Sequence, residues 1–438
     1  MVTIYDIIFF LFTFIAMPKF ILRLKQAEDA KVLLRERMGR FDKDKKEKFS
    51  KRKTLWIHAV SVGEVIAAEP WIELFLKKYP DWQIAFSATT PTGYSVAKKN
   101  VSERLIIFYA PFDFSFVARK VIREINPKLI LLMETEIWPN LISEASRASV
   151  PVGILNGRIS PRAFKRYRWI RLLMKHLLSK LSFCLVQSEK DEAHFSELGM
   201  SKEKISLTGN MKFDRVVSPG VTQKEDFLSL FLEDSLILLG GSTHWNEEDI
   251  LMRAFSKLRQ EFKNLKLILA PRHPEKVPVV VEALKQNGFS FGLYSERNTN
   301  QAKKVLVIDQ MGVLASLYEV ATAVFMGGSL VRHGGQNPIE AAQFHKAVVH
   351  GPNVFNFESV YDELDQAEAA YLVRTEEELY EKLKWFLSQF SVRESAGKKA
   401  YDVIESLRGA TERNMALVSR WIESGGTKTQ LRETVEAL

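Results

Sequence analysis

TLWIHAVSVGEVIAAEPWIELFLKK, residues 54–78, changes its hydrophobic period part-way along. Residues 55–60 are a short apolar run with branched and aromatic members, which predicts a buried strand. From Val65 to Lys78 the apolar residues recur at helical spacing, so an amphipathic helix comes next. Ser61, Val62, Gly63 and Glu64 make the connection; Gly63 permits a tight turn and Glu64 falls in the first helical turn. The same rhythm predicts strands at 83–88, 104–109, 128–133, 152–155 and 183–186. It restarts at 236–239, 265–269, 305–308, 323–326 and 347–349. Alternating strands and helices imply parallel sheets covered by helices on both faces. A chain of 438 residues suits two such domains, an α/β class with two Rossmann-like units. We place them at 54–217 and 235–425, joined by a charged connection at 218–234 and ending in a tail at 426–438. Ligands are expected at the carboxyl ends of the strands, in a cleft between the domains.

Apolar residues at 46% and charged residues at 26% exclude a disordered chain and a polytopic membrane protein. Cys184 is the single cysteine and sits in the apolar run 183–186, so it reads as a buried core thiol. No intramolecular disulfide is possible, and no Cys/His group has metal-ligand spacing. This usage fits a reducing, cytosol-facing location. Of the net charge of +9, +8 lies in residues 19–53, where 14 Lys/Arg face 6 Asp/Glu. Nucleic-acid binding would want that excess on a folded domain. Here it lies directly behind the hydrophobic run 4–22, which is near the roughly 20 residues needed to span a bilayer. Residues 1–22 are therefore expected to be a membrane anchor, and 23–53 a basic juxtamembrane linker that keeps the body cytoplasmic. A cleaved signal peptide would need an early basic region, and only Asp6 is charged there. The competing reading is a buried N-terminal helix of the first domain.

The residues just beyond each strand carry the chemistry. Glu64 lies where the helix dipole should keep a carboxylate ionised and ready to accept a proton; the plain alternative is a helix cap. ETEIWPN (134–140) puts two acids at a strand end, and Glu134 there suits a developing oxocarbenium charge. The alternative is a pair of exposed acids at a helix start. From Asn156 to Ser188 there is no acid, while Arg158, Arg162, Lys165, Arg166, Arg168, Arg171, Lys175 and Lys180 supply eight cations. With Phe164, Tyr167 and Trp169 interleaved, a helix over 161–181 suits a membrane interface or a phosphorylated lipid. TGNMKFD (208–214) brings Lys212 to the expected cleft floor. In the second half, GGSTH (240–244), GGSL (327–330) and GGQNPIE (334–340) place small residues at strand ends or helix starts. Arg272 in APRHPE (270–275), and Met311-Gly312 before a further helix, complete the pattern of a nucleotide site. Neither GxGxxG nor a P-loop occurs.

HAVSVGEV (58–65), METEIWPNLI (133–142), NGRIS (156–160), TGNMKFD, APRHPE and GGQNPIEAA (334–342) together resemble the Kdo (3-deoxy-D-manno-octulosonic acid) transferases of lipopolysaccharide synthesis. The resemblance runs through both halves. It implies a GT-B glycosyltransferase that moves Kdo from CMP-Kdo to a lipid A precursor (lipid IVA) at the inner membrane, with no cofactor and no metal. It puts the general base on Glu64 and stabilising roles on Glu134 and Lys212. It puts CMP contacts on Arg272, His273, Met311, Gly312, Val313, Asn337, Pro338, Ile339 and Glu340. The competing functions are a GT-B enzyme using a UDP-sugar and a non-catalytic membrane protein that binds nucleotide or lipid.

Overall fold

The computed structural model describes residues 4–15, 29–99, 102–214, 234–299 and 303–426. The chain forms two compact units, the first built from residues 1–215 with 408–438, the second from 216–407.

The first unit holds a seven-stranded, wholly parallel sheet in the order β3-β2-β1-β4-β5-β6-β7. Its strands are β1 (Lys53–Ala59), β2 (Trp82–Ala88), β3 (Leu105–Tyr109), β4 (Pro127–Met133), β5 (Val152–Gly157), β6 (Phe183–Val186) and β7 (Ile205–Leu207). Six of the seven residues of β1 are buried because helices cover both sheet faces. Leu55 and Ile57 join one apolar cluster, and Trp56 joins the other. Burying a large apolar side chain contributes roughly 1.5–3 kcal/mol, so two filled faces drive the sandwich of layers. The second sheet is also seven-stranded and parallel, ordered β10-β11-β9-β8-β12-β13-β14. It comprises β8 (Leu236–Thr243), β9 (Leu265–Pro271), β10 (Phe291–Leu293), β11 (Val305–Val307), β12 (Ala323–Met326), β13 (Val348–His350) and β14 (Ala370–Leu372). In each sheet the order turns back at one point, between β1 and β4 and between β8 and β12. The crevice at such a reversal is where doubly wound sheets bind ligands.

Several boundaries differ from expectation. The stretch expected as a linker packs on the first unit: helices Ala30–Arg37 and Lys43–Lys51 bury Leu33 and Phe49, and Phe41 between them is buried too. The Phe41 ring meets Phe49 at 5.2 Å and Phe108 at 5.3 Å. Three well-spaced apolar residues anchor a segment whose composition is dominated by lysine. The helix Ala410–Glu423 belongs to the first unit, not the second. Asp214 caps it, accepting from Gly409 N at 2.7 Å and Thr411 N at 2.5 Å, and Ala410, Leu417 and Val418 join the first core.

The expected anchor helix is not supported. Ile4–Ile15 is a helix, but among the described residues none is long and apolar enough to cross a membrane. Residues 16–22 of that expectation lie outside the described residues, as do 23–28, the connection up to 233 and the tail from 427. The helix Ile4–Ile15 is docked through one side only, which meets the competing reading of a buried N-terminal helix in part. Buried Asp6 accepts from Ser115 N and Oγ and from Asn140 Nδ2, each at 2.8 Å, and the Phe9 ring meets Phe114 edge-on. Its other side leaves Ile7, Phe10, Leu11 and Phe14 exposed. Cys184 is fully buried, as expected, and burial pushes its thiol well up.

Candidate active site

In the first unit the chain leaves β1 and Ser61 caps the helix Val62–Lys78. Glu64 closes a capping box: its carboxylate accepts from Val60 N at 2.8 Å, Ser61 N at 3.3 Å and Ser61 Oγ at 2.8 Å. The cap reading of Glu64 is thus realised in its geometry. Its electrostatics go further. Buried, and beside Glu134, the carboxyl is pushed up to about 7, against the opposing pull of Val60 N–H, Ser61 and Lys212. The expectation that the helix terminus would simply keep it ionised is corrected: burial and the Glu134 charge favour the protonated form.

Beyond β4 the chain turns sharply before the helix Pro139–Arg147. Glu134 is left-handed (φ 50°), its N–H bonds Leu155 O at 3.0 Å, and Thr135 Oγ bonds Arg158 O. Neither Glu134 nor Glu136 is an exposed acid at a helix start. Glu134 pairs with Lys212 Nζ at 2.7 Å. Glu136 accepts from Trp138 Nε1 at 2.8 Å and is pushed up to about 8 by burial and then by Glu64. Trp138 lies edge-on to His58 (centroids 5.4 Å apart), and burial pushes that imidazole down to about 3, so it is neutral.

Lys212 sits in a short helical turn, Met211–Asp214, fixed from two sides. Asn156, left-handed at the end of β5, accepts Met211 N at 3.0 Å. From the helix Ala410–Glu423, Arg413 Nε bonds Thr208 O at 2.9 Å. The β1/β4 switch point therefore gathers Glu64, Glu134, Glu136 and Lys212: three carboxylates and one ammonium. Glu136 is the member that sequence reasoning missed. It was visible two residues from Glu134, but the left-handed turn that draws both acids into the group has no sequence signature.

The acid-free stretch forms two helices, Pro161–Trp169 and Arg171–Ser179, broken at Ile170 (ψ 33°), where one helix was expected. Phe164 and Tyr167 turn inward, Phe164 stacking on His194 at 4.0 Å. Trp169 (92% exposed) and Leu172 (87%) face outward among the cations, with Ile170 and Leu173 beside them.

In the second unit the switch point is lined by His244 after β8, by Arg272 and His273 after β9, and by the loop after β12. His244 stacks on His333 (centroids 4.1 Å, planes 11° apart) and meets His273 edge-on at 5.5 Å. Burial, then His333, His273 and Arg272, push His244 down to about 4, so it is neutral. Arg272 and His273 have exposed side chains, and Met311 is exposed beside Gly312 (φ 89°). Val313, Pro338 and Ile339 have buried side chains, which leaves only their backbone to meet a ligand. Asn337 Oδ1 accepts Ile339 N at 3.1 Å at the start of the short helix Ile339–Gln343, and Glu340 is half-buried on it. Three glycines expected as part of the small-residue pattern of a nucleotide site serve close packing instead. Gly240 and Gly241 lie inside β8, where an added Cβ would meet Leu251 at 2.8 Å and the Tyr318 hydroxyl at 3.0 Å. Gly327 passes Ser242 so closely that a Cβ would lie 2.4 Å from its carbonyl oxygen. Among the described residues no group of three or more His, Cys, Asp or Glu is placed to hold a metal ion.

Residues 33–215 match the family described as 3-Deoxy-D-manno-octulosonic-acid transferase (kdotransferase). The 3-deoxy-D-manno-octulosonic acid transferase of Haemophilus influenzae is 34% identical over 372 residues, which cover 84% of this chain and 87% of that one. The chain belongs to the Kdo transferase family. The transferase of the same description from Rickettsia felis is 30% identical, covering 77% of this chain and 72% of its own. A solved glycosyltransferase from Rickettsia africae superposes with a TM-score of 0.57 at 14% identity, over 85% of this chain and 99% of that one, which speaks to the fold alone. This Kdo transferase is thus a glycosyltransferase with two parallel-sheet α/β units, as its motifs implied.

Proposed function

We propose that this enzyme transfers Kdo from CMP-Kdo to a lipid A precursor at the cytoplasmic face of the inner membrane, by inverting attack and with Glu64 as general base. The observation that carries this reading is the buried carboxylate of Glu64, held near neutrality within the group of Glu134, Glu136 and Lys212. A base with that affinity for protons suits catalysis near neutral pH. The acceptor hydroxyl gives its proton to Glu64 as its oxygen bonds the anomeric carbon of Kdo. The bond from that carbon to the phosphate oxygen breaks, and CMP leaves with the electron pair. Positive charge grows on the anomeric carbon in between, next to the sugar's own carboxylate. Glu134 stabilises the cationic centre, while Lys212 balances the surrounding carboxylates. Arg272 and His273, the 311–313 backbone and the start of the helix at Ile339 bind the departing CMP. No cofactor enters these steps.

For the acceptor side we assign the outward surface of the helices Pro161–Trp169 and Arg171–Ser179, joined by the exposed side of Ile4–Ile15, to an anionic membrane surface. An exposed tryptophan and leucines among arginines and lysines suit the boundary between headgroups and acyl chains. Replacing Arg162, Lys165, Arg166 and Lys175 with glutamine should weaken association with anionic vesicles by up to roughly 10³-fold, since each such cation contributes about 1 kcal/mol near a charged surface. CMP affinity should stay at the wild-type value. Equal vesicle binding by the quadruple variant contradicts the assignment.

The donor is tested by competition. CMP should inhibit transfer at concentrations at least about tenfold below UDP. Stronger inhibition by UDP favours the UDP-sugar reading of the same fold.

A further inference from the structure

At the switch point of the second sheet a buried carboxylate joins the ends of the two strands. Asn246 is left-handed (φ 78°) and turns the chain from β8 into the helix Glu247–Glu261. Glu247, at its first position, is fully buried. Its Oε2 accepts from His244 N at 3.0 Å and Gly328 N at 2.6 Å; its Oε1 accepts from Ser329 N at 3.0 Å and Leu330 N at 2.9 Å, with Val331 N at 3.4 Å. Successive amides converging on one point make a nest that commonly captures a ligand's anionic oxygen. Here an internal carboxylate fills it. The loop after β12 is therefore closed to a substrate phosphate, and its shape is fixed before any ligand arrives.

That loop carries the groups that face the strand end. His333 N–H bonds Val331 O at 2.8 Å and its ring stacks on His244, while Gln336 Nε2 lies 3.3 Å from His244 Nε2. Gly335 N returns to Gly328 O at 2.8 Å, and the Tyr361 hydroxyl bonds Gln336 O at 3.0 Å. One carboxylate thus sets both partners of the stack, His244 through its backbone and His333 through the loop. We propose that Glu247 is a positioning residue of the donor site: it holds His333 and Gln336 against His244, so that a ring N–H of this imidazole pair is presented to the anionic phosphate of the donor nucleotide. The proposal rests on the reading that the second unit binds CMP.

The test uses the full chain, with CMP affinity from calorimetry and steady-state rates of Kdo transfer. E247Q presents one acceptor oxygen where two are needed and turns an NH2 group toward amide donors. CMP affinity should weaken by about tenfold or more, and the donor KM should rise in parallel, because the lost contacts are hydrogen bonds to a charged ligand. At saturating donor, kcat should stay within about threefold. H333A should weaken CMP binding in the same direction. Adding it to E247Q should cost less than about twofold more, since one residue acts through the other. A folded E247Q with wild-type CMP affinity overturns the proposal, as does full additivity in the double variant. If E247Q does not fold, exposed His333 carries the test alone, and unchanged CMP affinity in H333A overturns it. A wild-type chain that binds no CMP overturns the donor reading itself, and the positioning role with it.

Discussion

E64Q is expected to lower kcat by about 10²–10⁴-fold, the usual worth of a positioned general base. Glutamine keeps the shape of the side chain and one acceptor for the capping amides, so any loss of helix stability stays near 1 kcal/mol. We assign donor binding to the other unit, so CMP affinity should be unchanged. The pH profile separates loss of a base from loss of a cap. In the wild type the acid limb of kcat/KM rises through about 7, because Glu64 must lose its proton before it accepts one and burial holds that proton to about 7. In E64Q that limb should disappear. A merely structural Glu64 would leave the limb in place and lower the melting temperature instead.

K212M and E134Q should displace the same limb in opposite directions. Lys212 lowers the proton affinity of Glu64 and Glu134 raises it. Without the lysine, the carboxylates face one another unbalanced, Glu64 holds its proton to higher pH and the limb moves alkaline. Without the Glu134 charge, Glu64 ionises more readily and the limb moves acidic. Both variants also break the 2.7 Å ion pair, which the proposed mechanism sets beside the reacting carbon, so both should lose about 10²-fold or more in kcat. The signs are the stronger prediction. Limbs that move together, or do not move, would show that these charges do not act on Glu64. The pH–rate profiles of the three proteins in one buffer series decide it.

Much of this organisation was legible. Eleven of the strands were placed from short apolar runs between glycine- and proline-marked turns, and both switch points are set by their order. The three that went unread, Ile205–Leu207, Phe291–Leu293 and Ala370–Leu372, are each three residues long and lie at sheet edges. A pattern of three residues has no measurable period, and half-covered edges need no strong apolar run. The helix Ala410–Glu423 reads as an ordinary amphipathic helix, and nothing local says that it crosses back to cap at Asp214. That is a long-range contact, fixed only when both partners are folded.

At the site, sequence supplied the residue types and missed the turns that converge them. The sequence shows Glu64 as an acid after a strand but not its proton affinity, because burial and the Glu134 charge come from elsewhere in the chain. Glu136 and Glu247 are glutamates near helix starts, a common placement. Only the left-handed residues Glu134 and Asn246 turn them toward their partners. Glycine pairs looked like ligand turns, but Gly240, Gly241 and Gly327 serve close packing.

The most direct test of the central claim is the mass of the product formed when the purified chain is incubated with CMP-Kdo and a tetra-acylated lipid A precursor. The wild type should add at least one Kdo residue and E64Q should add none in the same interval. A precursor left unmodified by the wild type, or modified fully by E64Q, would contradict the assignment of Glu64 as the base of a Kdo transfer.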